Sequence, residues 1–241
     1  MINVTLIPIL PHNDNYAYIL EADNGDVAVV DPGDAAPFIE YLEAKSLKPS
    51  VIFITHHHWD HTDGLADMLA WHSCPVAGPE KEADKIQSLD ILLNENSVFA
   101  FGGEDIQIIE TPGHTLGHIC YYAVQSGFLL SGDTIFSLGC GRLFEGSARD
   151  MWASVQRVSA LPDDTMIYCG HEYTLSNAKF SVNIEPDNQA LRARLQEVEA
   201  MRTRGEPTIP VSLKLEKQTN VFLRAGSAER FAEIRTLKDN A

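Results

Sequence analysis

The chain has 241 residues and a formal net charge of −16, with 18 Lys and Arg residues against 34 Asp and Glu residues. Its length suits one large domain, or a domain with a smaller appendage, and a hydrophobic fraction of 44% argues against wholesale disorder. The acidic balance disfavours nucleic-acid binding, because phosphate backbones are themselves anionic.

The first 171 residues are predicted to mix strands with helices. Short apolar runs bounded by Gly, Pro, Asn and Asp predict strands over residues 4–10, 16–20, 27–30, 51–54, 98–101, 106–109, 119–124, 128–130 and 166–169. Apolar residues at helical spacing predict a helix capped by Asp34, a helix over residues 61–71 and a helix over residues 149–160. The mixture predicts an α/β layer arrangement.

The pattern changes at about residue 172, where strand-like runs end. Apolar residues at helical spacing predict a helix over residues 188–204, which is followed by Gly205 and Pro207, and a last short helix over 229–237. We therefore predict two domains, a catalytic α/β domain over residues 1–171 and a small helical, substrate-binding domain over residues 172–241.

The negative charge is concentrated in the first part of the chain. Residues 1–150 carry 22 acidic and 6 basic side chains, whereas residues 151–241 carry 12 of each. Two interpretations are open, because these carboxylates can solvate the surface or bind cations.

Membrane insertion and export are not predicted. No stretch approaches the ~18–20 apolar residues of a membrane span, and the N-terminus lacks the basic start and cleavage site of a secretory signal. The four cysteines are widely scattered and form no metal-binding pair, so we expect reduced, mostly buried thiols. A cytoplasmic location follows as an expectation.

The segment Thr55-His56-His57-His58-Trp59-Asp60-His61 directly follows the predicted strand 51–54. In extended backbone, His56 and His58 point to one side and His57 to the other. Imidazole nitrogens and carboxylate oxygens are ligands that suit zinc and related divalent ions. A fortuitous surface cluster is the competing interpretation, and it is disfavoured because histidine is costly beside a buried strand without a ligand.

Three further polar residues occur where a predicted strand runs into a Gly-containing loop: His114, Asp133 and His171. Such loops at strand ends are where α/β sheets usually carry their active sites. Together with His56, His58, Asp60 and His61 they make seven candidate ligands. Seven ligands suffice for two ions with three private ligands each and Asp133 as a bridge, completed by a bridging water or hydroxide in a hydrolytic site.

Five motifs resemble the glyoxalase II family of the metallo-β-lactamase superfamily. They are T-H-H-H-W-D-H at 55–61, T-P-G-H-T-L-G-H-I-C-Y at 111–121, G-D-T-I-F at 132–136, G-C-G-R-L-F-E-G-S at 139–147 and H-E-Y-T-L-S-N at 171–177. The first motif is specific only to the superfamily. The last two, with the helical rear domain, are specific to glyoxalase II, and the resemblance runs along the whole chain.

The resemblance implies an α/β fold, a four-layer αββα metallo-β-lactamase sandwich with a small C-terminal helical domain. It also implies a ligand set: His56, His58 and His114 for the first ion, Asp60, His61 and His171 for the second, and Asp133 as the bridge. Two divalent ions per chain are expected, zinc in the first place, with iron and manganese as alternatives. Asp31 would support the metal loop from outside the ligand set.

The activity that the resemblance implies is hydrolysis of S-D-lactoylglutathione and related 2-hydroxyacyl thioesters to D-lactate and glutathione, the second step of methylglyoxal detoxification. A metal-bridging hydroxide would attack the thioester, and Asp60 would orient that hydroxide as well as bind metal. The partner is thus a small glutathione thioester, with no nucleic acid, no membrane and a monomeric chain expected.

The same resemblance suggests three residues that hold glutathione: Arg142, Tyr173 and Arg224. Two positions depart from the family. Phe144 stands where some members have Tyr, and Ser227 stands where some have Lys. Either Arg235 or Lys238 could replace that missing lysine, and the sequence does not decide between them.

Two competing functions are kept. A persulfide dioxygenase of the same superfamily would use one iron ion and oxygen and would usually lack the rear helices. A non-enzymatic, metal-stabilised binding scaffold would bind metal without turnover.

Overall fold

The computed structural model describes residues 1–10 and 14–241. Within these residues the chain forms two compact units. The first comprises residues 1–110 and 117–126, and the second comprises residues 111–116 and 127–241. The second unit is therefore built from two separate stretches of sequence.

The first unit contains a six-stranded sheet in chain order: β1 (Ile2–Ile9), β2 (Asn15–Ala22), β3 (Val27–Val30), β4 (Val51–Phe53), β5 (Val76–Pro79) and β6 (Ile91–Leu93). The strands β1, β2 and β3 are antiparallel, and β3 to β6 are parallel. Because β3 and β4 are parallel neighbours, their carboxyl ends open at the same edge of the sheet. This edge brings Asp31 beside Thr55 and the histidines that follow it.

Helices cover one face of this sheet and form its hydrophobic core. The connection from β3 to β4 carries α1 (Ala36–Ala44), and the connection from β4 to β5 carries α2 (Trp59–Thr62) and α3 (Leu65–Trp71). Phe38 of α1 and Met68 of α3 are fully buried in a cluster with Ile19 and Ile52 of the sheet. Burial of such side chains stabilises the unit by roughly 1.5–3 kcal/mol each.

The rest of the first unit is an antiparallel meander of β7 (Val98–Phe101), β8 (Glu104–Glu110) and β9 (Ile119–Ala123). The ring of Phe53 in β4 packs edge-on against Phe99 and Phe101. The Tyr121 hydroxyl donates to the Ile54 carbonyl at 2.7 Å, so the end of β4 is held at the base of the histidine segment.

The second unit is built around β10 (Phe128–Gly132), β13 (Met166–Cys169) and β14 (Val211–Ser212). The strands β10 and β13 are parallel, with Gly132 opposite Cys169, and β14 runs antiparallel to β13. This register puts Asp133 and His171, which follow these strands, at one edge. Between β10 and β13 the chain makes a short hairpin of β11 (Ile135–Phe136) and β12 (Gly139–Cys140).

The second unit also contains the helices α4 (Ala148–Ser159), α5 (Thr174–Ile184), α6 (Gln189–Thr203), α7 (Leu213–Thr219) and α8 (Ala228–Asp239). The sequence supplies their caps. Ser147 and Asp150 form a reciprocal capping box at the start of α4, and Asn188 caps α6. Ser227, where some glyoxalase II members have Lys, is the N-cap of α8 and accepts from the Arg230 backbone.

Several predictions of local structure need correction. The single helix predicted over 61–71 is wrong, because α2 ends at Thr62 and α3 begins at Leu65. Gly64 lies between them, and a Cβ there would come 2.4 Å from the Pro32 carbonyl oxygen. Asp34 is not the N-cap of α1, because the cap is the next residue, Ala35. The Asp34 side chain nevertheless accepts a hydrogen bond from the Ala36 N–H.

Other elements had no prediction. The strands β5 and β6 and the helices α5 and α7 were missed, because their apolar residues are too few or too irregular to show a period. A two-residue strand, β14, also lies beyond residue 172, where strands were expected to end.

Candidate metal centre

Four candidate ligands lie in the first unit, on the segment that leaves β4. His56 and His61 are buried, whereas His58 and Asp60 are partly exposed. The ligand atoms of His56 and His58, of His56 and His61, and of Asp60 and His61 lie within 4.8 Å of each other. The four predicted ligands of this segment therefore converge.

Asp31 fixes the orientation of two of these imidazoles. Its Oδ1 accepts the Thr55 backbone N–H at 2.7 Å, and its Oδ2 lies 2.7 Å from the Thr55 hydroxyl and 3.0 Å from His61 Nδ1. Because the Thr55 hydroxyl donates to Asp31, it accepts from His56 Nδ1, which lies 3.0 Å away. Both histidines thus carry their proton on Nδ1 and keep the Nε2 lone pair for a metal.

The Nε2 atom of His61 lies 3.8 Å from Asp60 Oδ2. With the His61 proton on Nδ1, a nitrogen lone pair and a carboxylate oxygen face one another in a largely buried site. Such a pair is repulsive by itself and favourable around a cation. The donor set of the first unit therefore fits a divalent ion.

His57 points away from this group, as the alternation predicts. Its backbone N–H donates to Glu82 Oε2 at 2.6 Å, and its Nδ1 lies 2.9 Å from the same oxygen. Glu82 Oε1 accepts the Gly117 N–H at 3.1 Å. A Cβ on Gly117 would lie 2.3 Å from Glu82 Cγ, so this position requires glycine. Glu82, which the sequence did not single out, ties the histidine segment to the turn before β9.

The other three candidate ligands lie in the second unit and are all buried. Nε2 of His114 is 3.3 Å, and Nε2 of His171 is 3.2 Å, from the same Asp133 Oδ2. His114 Nδ1 donates to the Arg142 carbonyl at 2.7 Å, so the His114 Nε2 lone pair faces the carboxylate. This second set shows the same signature as the first and also fits a divalent ion.

Close backbone approach shapes the surroundings of Asp133. A Cβ on Gly141 would lie 1.9 Å from the Asp133 carbonyl oxygen and 3.2 Å from His114 Nδ1. Only glycine lets the chain pass here after β12. His171 is flanked by aromatic rings, since Tyr173 stacks on it with centroids 4.6 Å apart and Phe136 meets it edge-on.

A basic cavity of about 290 Å³ lies in the second unit. It is lined by Phe136, Cys140, Arg142, Tyr173, Ser176, Asn177, Arg235, Lys238 and Asp239. Three cations therefore face one carboxylate, which favours an anionic ligand. Arg235 donates to the Cys140 carbonyl at 3.0 Å and to Asp239 at 2.8 Å, so its guanidinium is held in place. Burial, and then the Arg235 charge, lower the pKa of Lys238.

Arg224 is not part of this cavity. Its Nε donates to Glu185 Oε2 at 3.0 Å, and it lines a different cavity with Asp187 and Gln218. The structure thus brings together two of the three predicted glutathione contacts, Arg142 and Tyr173, with both alternatives for the missing lysine, Arg235 and Lys238.

The cysteines offer no nucleophile near these groups. All four lie in the described part of the chain and form no disulfide. Burial raises the pKa of Cys140 to about 11 and that of Cys169 to about 12, so both remain thiols at neutral pH.

Across residues 1–10 and 14–241, no helix combines the length and apolarity needed to cross a membrane.

Comparison with known proteins gives matches along the chain. The profile of the metallo-beta-lactamase superfamily matches residues 11–171, and that of the hydroxyacylglutathione hydrolase C-terminus matches residues 172–241. A protein of Rhodopseudomonas palustris (strain HaA2) named hydroxyacylglutathione hydrolase is 43% identical over 254 aligned positions, covering 99% of each chain.

Solved structures give the fold. A B3 metallo-beta-lactamase, BLEG-1, superposes with a TM-score of 0.71 at 24% identity, covering 92% of this chain and 99% of that one. ETHE1 from Myxococcus xanthus superposes with a TM-score of 0.73 at 21% identity, covering 98% and 90%. The predicted α/β fold, a metallo-β-lactamase sandwich with a helical C-terminal region, is confirmed.

Proposed function

The chain belongs to the hydroxyacylglutathione hydrolase family of the metallo-β-lactamase superfamily, and from that premise we propose that it hydrolyses the thioester of S-D-lactoylglutathione to D-lactate and glutathione. Related 2-hydroxyacyl thioesters of glutathione fall in the same substrate class. One observation carries the proposal. In each unit, an imidazole lone pair faces a carboxylate oxygen.

We assign the ligands as the sequence predicts them: His56, His58 and His114 for one ion, Asp60, His61 and His171 for a second, and Asp133 between them. The assignment is supported by the donor chemistry of each unit and by family membership. Nitrogen and oxygen donors of this kind suit zinc first, with iron and manganese as alternatives.

Bound divalent ions supply a water of lowered pKa and a Lewis acid for the thioester carbonyl. The chain's own residues do the rest. Asp31 and Thr55 keep the imidazole protons on Nδ1, and Asp60 has a carboxylate available to orient the attacking water. Water adds to the carbonyl carbon, and the carbon–sulfur bond breaks to give the acid and the thiol. A thiol of pKa about 8.5 leaves as thiolate with little help from an acid, so a dedicated proton donor is not required.

The basic cavity of the second unit is the proposed glutathione site. Glutathione has two carboxylates, and the cavity offers Arg142, Arg235 and Lys238 together with the Tyr173 hydroxyl. We favour Arg235 and Lys238 over Arg224 for a carboxylate, because both line this cavity, whereas Arg224 lines a different one. Lys238 is the more adaptable of the two, since Arg235 is held by Cys140 and Asp239.

The direct test is an assay of S-D-lactoylglutathione hydrolysis combined with elemental analysis of the purified protein. We expect two divalent ions per chain and fast release of glutathione. Metal-replete protein without turnover would overturn the proposal in favour of a binding scaffold, and one iron ion with oxygen uptake would favour the dioxygenase.

Asp133→Ala tests the ligand assignment. Removing the carboxylate that faces both His114 and His171 takes away a shared ligand, so we expect loss of bound metal and of at least 99% of the activity, in line with the loss of a metal-catalysed pathway. Elemental analysis and the thioester assay measure both. Unchanged metal content and turnover would contradict the assignment.

A monomeric state and a cytoplasmic location stay predictions from the sequence.

A further inference from the structure

Asn15, at the start of β2, contacts the proposed catalytic carboxylate. Its side-chain Nδ2 lies 3.0 Å from Asp60 Oδ2 and 3.4 Å from the Asp60 carbonyl oxygen. Asn15 is only 1% exposed. The oxygen that receives this hydrogen bond is the same Oδ2 that lies 3.8 Å from His61 Nε2.

The orientation of the Asn15 amide follows from its neighbour. Rotation of the amide would bring Oδ1 against the Asp60 carboxylate, and two oxygens with negative partial charge would repel. In the observed orientation, Oδ1 is buried with no hydrogen-bond partner among residues 1–10 and 14–241. A buried unpaired oxygen costs stability, so the side chain is not explained by the packing of β2 alone.

A second contact of the same segment limits how far Asp60 can move. A Cβ on Gly33 would lie 1.9 Å from the Asp60 carbonyl oxygen, so the Asp60 backbone already abuts the loop after β3. With the backbone confined there, the carboxylate retains rotation about its side-chain bonds. The Asn15 hydrogen bond restrains this rotation.

We infer that Asn15 is a positioning residue for Asp60: its amide holds the Asp60 carboxylate so that Oδ2 faces His61 Nε2. The inference rests on the proposed function, because it concerns the ion for which Asp60 and His61 are the assigned ligands. A carboxylate that binds metal commonly needs such an outer hydrogen bond, and its loss typically weakens metal binding or activity about 10–100-fold.

The test compares Asn15→Leu, Asn15→Ala and Asn24→Ala with the wild type. Leucine has the same branched arrangement of side-chain heavy atoms as asparagine, lacks both polar atoms and removes the unpaired oxygen. Asn24 is the matched control, because its Nδ2 also donates to a carboxylate, Asp26 at 2.8 Å, but on an exposed turn of the same sheet. Zinc affinity is measured by competition with a chromophoric chelator, and stability by denaturant unfolding.

We expect Asn15→Leu to unfold in one cooperative transition like the wild type, while its weaker zinc ion dissociates about 10–100-fold more readily. The kcat should fall by a similar factor, with the KM for S-D-lactoylglutathione within about twofold. Asn24→Ala should match the wild type in all of these. Asn15→Ala should lose zinc affinity as Asn15→Leu does, whatever its effect on stability.

A double-mutant cycle separates positioning from a purely structural role. If Asn15 acts through Asp60, Asn15→Leu should not weaken zinc binding further in an Asp60→Ala background. Independent, additive losses would overturn the inference, as would wild-type zinc affinity in Asn15→Leu itself. The zinc measurement does not involve the substrate. A wild type that binds zinc but leaves S-D-lactoylglutathione intact would therefore overturn the proposed function only, and Asn15→Leu would still decide on Asn15.

Discussion

A single carboxylate, Asp31, fixes the proton positions of two imidazoles that are proposed to bind metal. It contacts His61 directly and reaches His56 through the Thr55 hydroxyl. Asp31 has a φ of 51°, a left-handed conformation that is rare for non-glycine residues. The hydrogen bonds to Thr55 compensate for this strain of order 1–3 kcal/mol, which persists only where the surrounding structure holds it.

Thr55→Val tests whether the Thr55 hydroxyl orients His56. Valine keeps the shape of threonine but removes the hydroxyl, so His56 Nδ1 loses its acceptor and Asp31 loses one donor. We expect zinc affinity to fall about 10–100-fold. Thr55→Ser retains the hydroxyl and should stay close to the wild type. Equal zinc affinity in Thr55→Val and Thr55→Ser, measured by chelator competition, would show that the hydroxyl does not orient His56.

The β11–β12 hairpin is an element held from behind by helix α7. The fully buried carboxylate of Glu216 accepts hydrogen bonds from the Ser137 hydroxyl at 3.0 Å and the Leu138 N–H at 2.8 Å. Asn220 donates to the same carboxylate and to the Gly139 carbonyl. This hairpin leads into Gly141 and Arg142, whose backbone contacts His114 and Asp133, so α7 stabilises one wall of the candidate metal centre.

Glu216 should make stability depend on pH. Burial raises its pKa above the ordinary value of 4.5, so the folded state holds a proton that the unfolded state has lost. The stabilising contribution of Glu216 to the free energy of unfolding is fully present below about pH 4.5. It is lost as the pH rises through the raised pKa, and the loss is about 1.4 kcal/mol for each unit by which the pKa is raised. In Glu216→Gln this pH dependence should vanish. The free energy of unfolding of the variant should therefore increase relative to that of the wild type as the pH rises.

Denaturant unfolding of both proteins at pH 5.5, 7 and 8.5 measures the difference. Glutamine can keep the same geometry, because its carbonyl can accept from Leu138 and Asn220 while its amide donates to Ser137. A constant difference in free energy of unfolding across these pH values would mean that Glu216 is ionised in the folded protein throughout.

Candidate metal ligands could be named from the sequence because metal chemistry demands specific residue types at strand ends, as at His56 and Asp133, and their assignment stays a prediction. The sequence predicted β3 and β13 at their observed bounds, since continuous apolar runs mark buried parallel strands. It could not reveal Asn15, Glu82 or Glu216, because each acts through a partner distant in sequence. Nor could a motif show that the Arg224 guanidinium pairs with Glu185.

This acidic chain is proposed to bind an anionic substrate. The net charge of −16 repels anions at long range, while the second unit gathers Arg142, Arg235 and Lys238 around one cavity. Of the 22 acidic residues before position 151, Asp60 and Asp133 are assigned to metal, and Glu82 and Asp31 have structural partners inside the first unit. Local charge, not net charge, therefore decides ligand choice.

Lys238→Ala should raise the KM for S-D-lactoylglutathione about tenfold with little change in kcat, because removing a charged hydrogen bond costs about 1.5–3 kcal/mol of binding. The same variant should handle a small thioester without glutathione as the wild type does. Arg224→Ala is the control from the other cavity, and we expect a change in KM of less than twofold. A larger effect of Arg224→Ala on the glutathione substrate alone would restore the assignment made from the sequence.

The discontinuity of the second unit has a consequence for how the protein is made and cut. Residues 111–116 leave the ribosome before every partner that they have in this unit. The Thr111 hydroxyl accepts a hydrogen bond from the Thr134 hydroxyl, and the Pro112 carbonyl accepts one from the Ser154 hydroxyl. Gly113 lies close to the backbone of Gly146. A fragment starting at residue 127 would keep these partners but lack Thr111, Pro112 and Gly113 together with His114. The second unit is therefore not a simple C-terminal fragment, and transplanting it onto another scaffold requires carrying this six-residue insert with it.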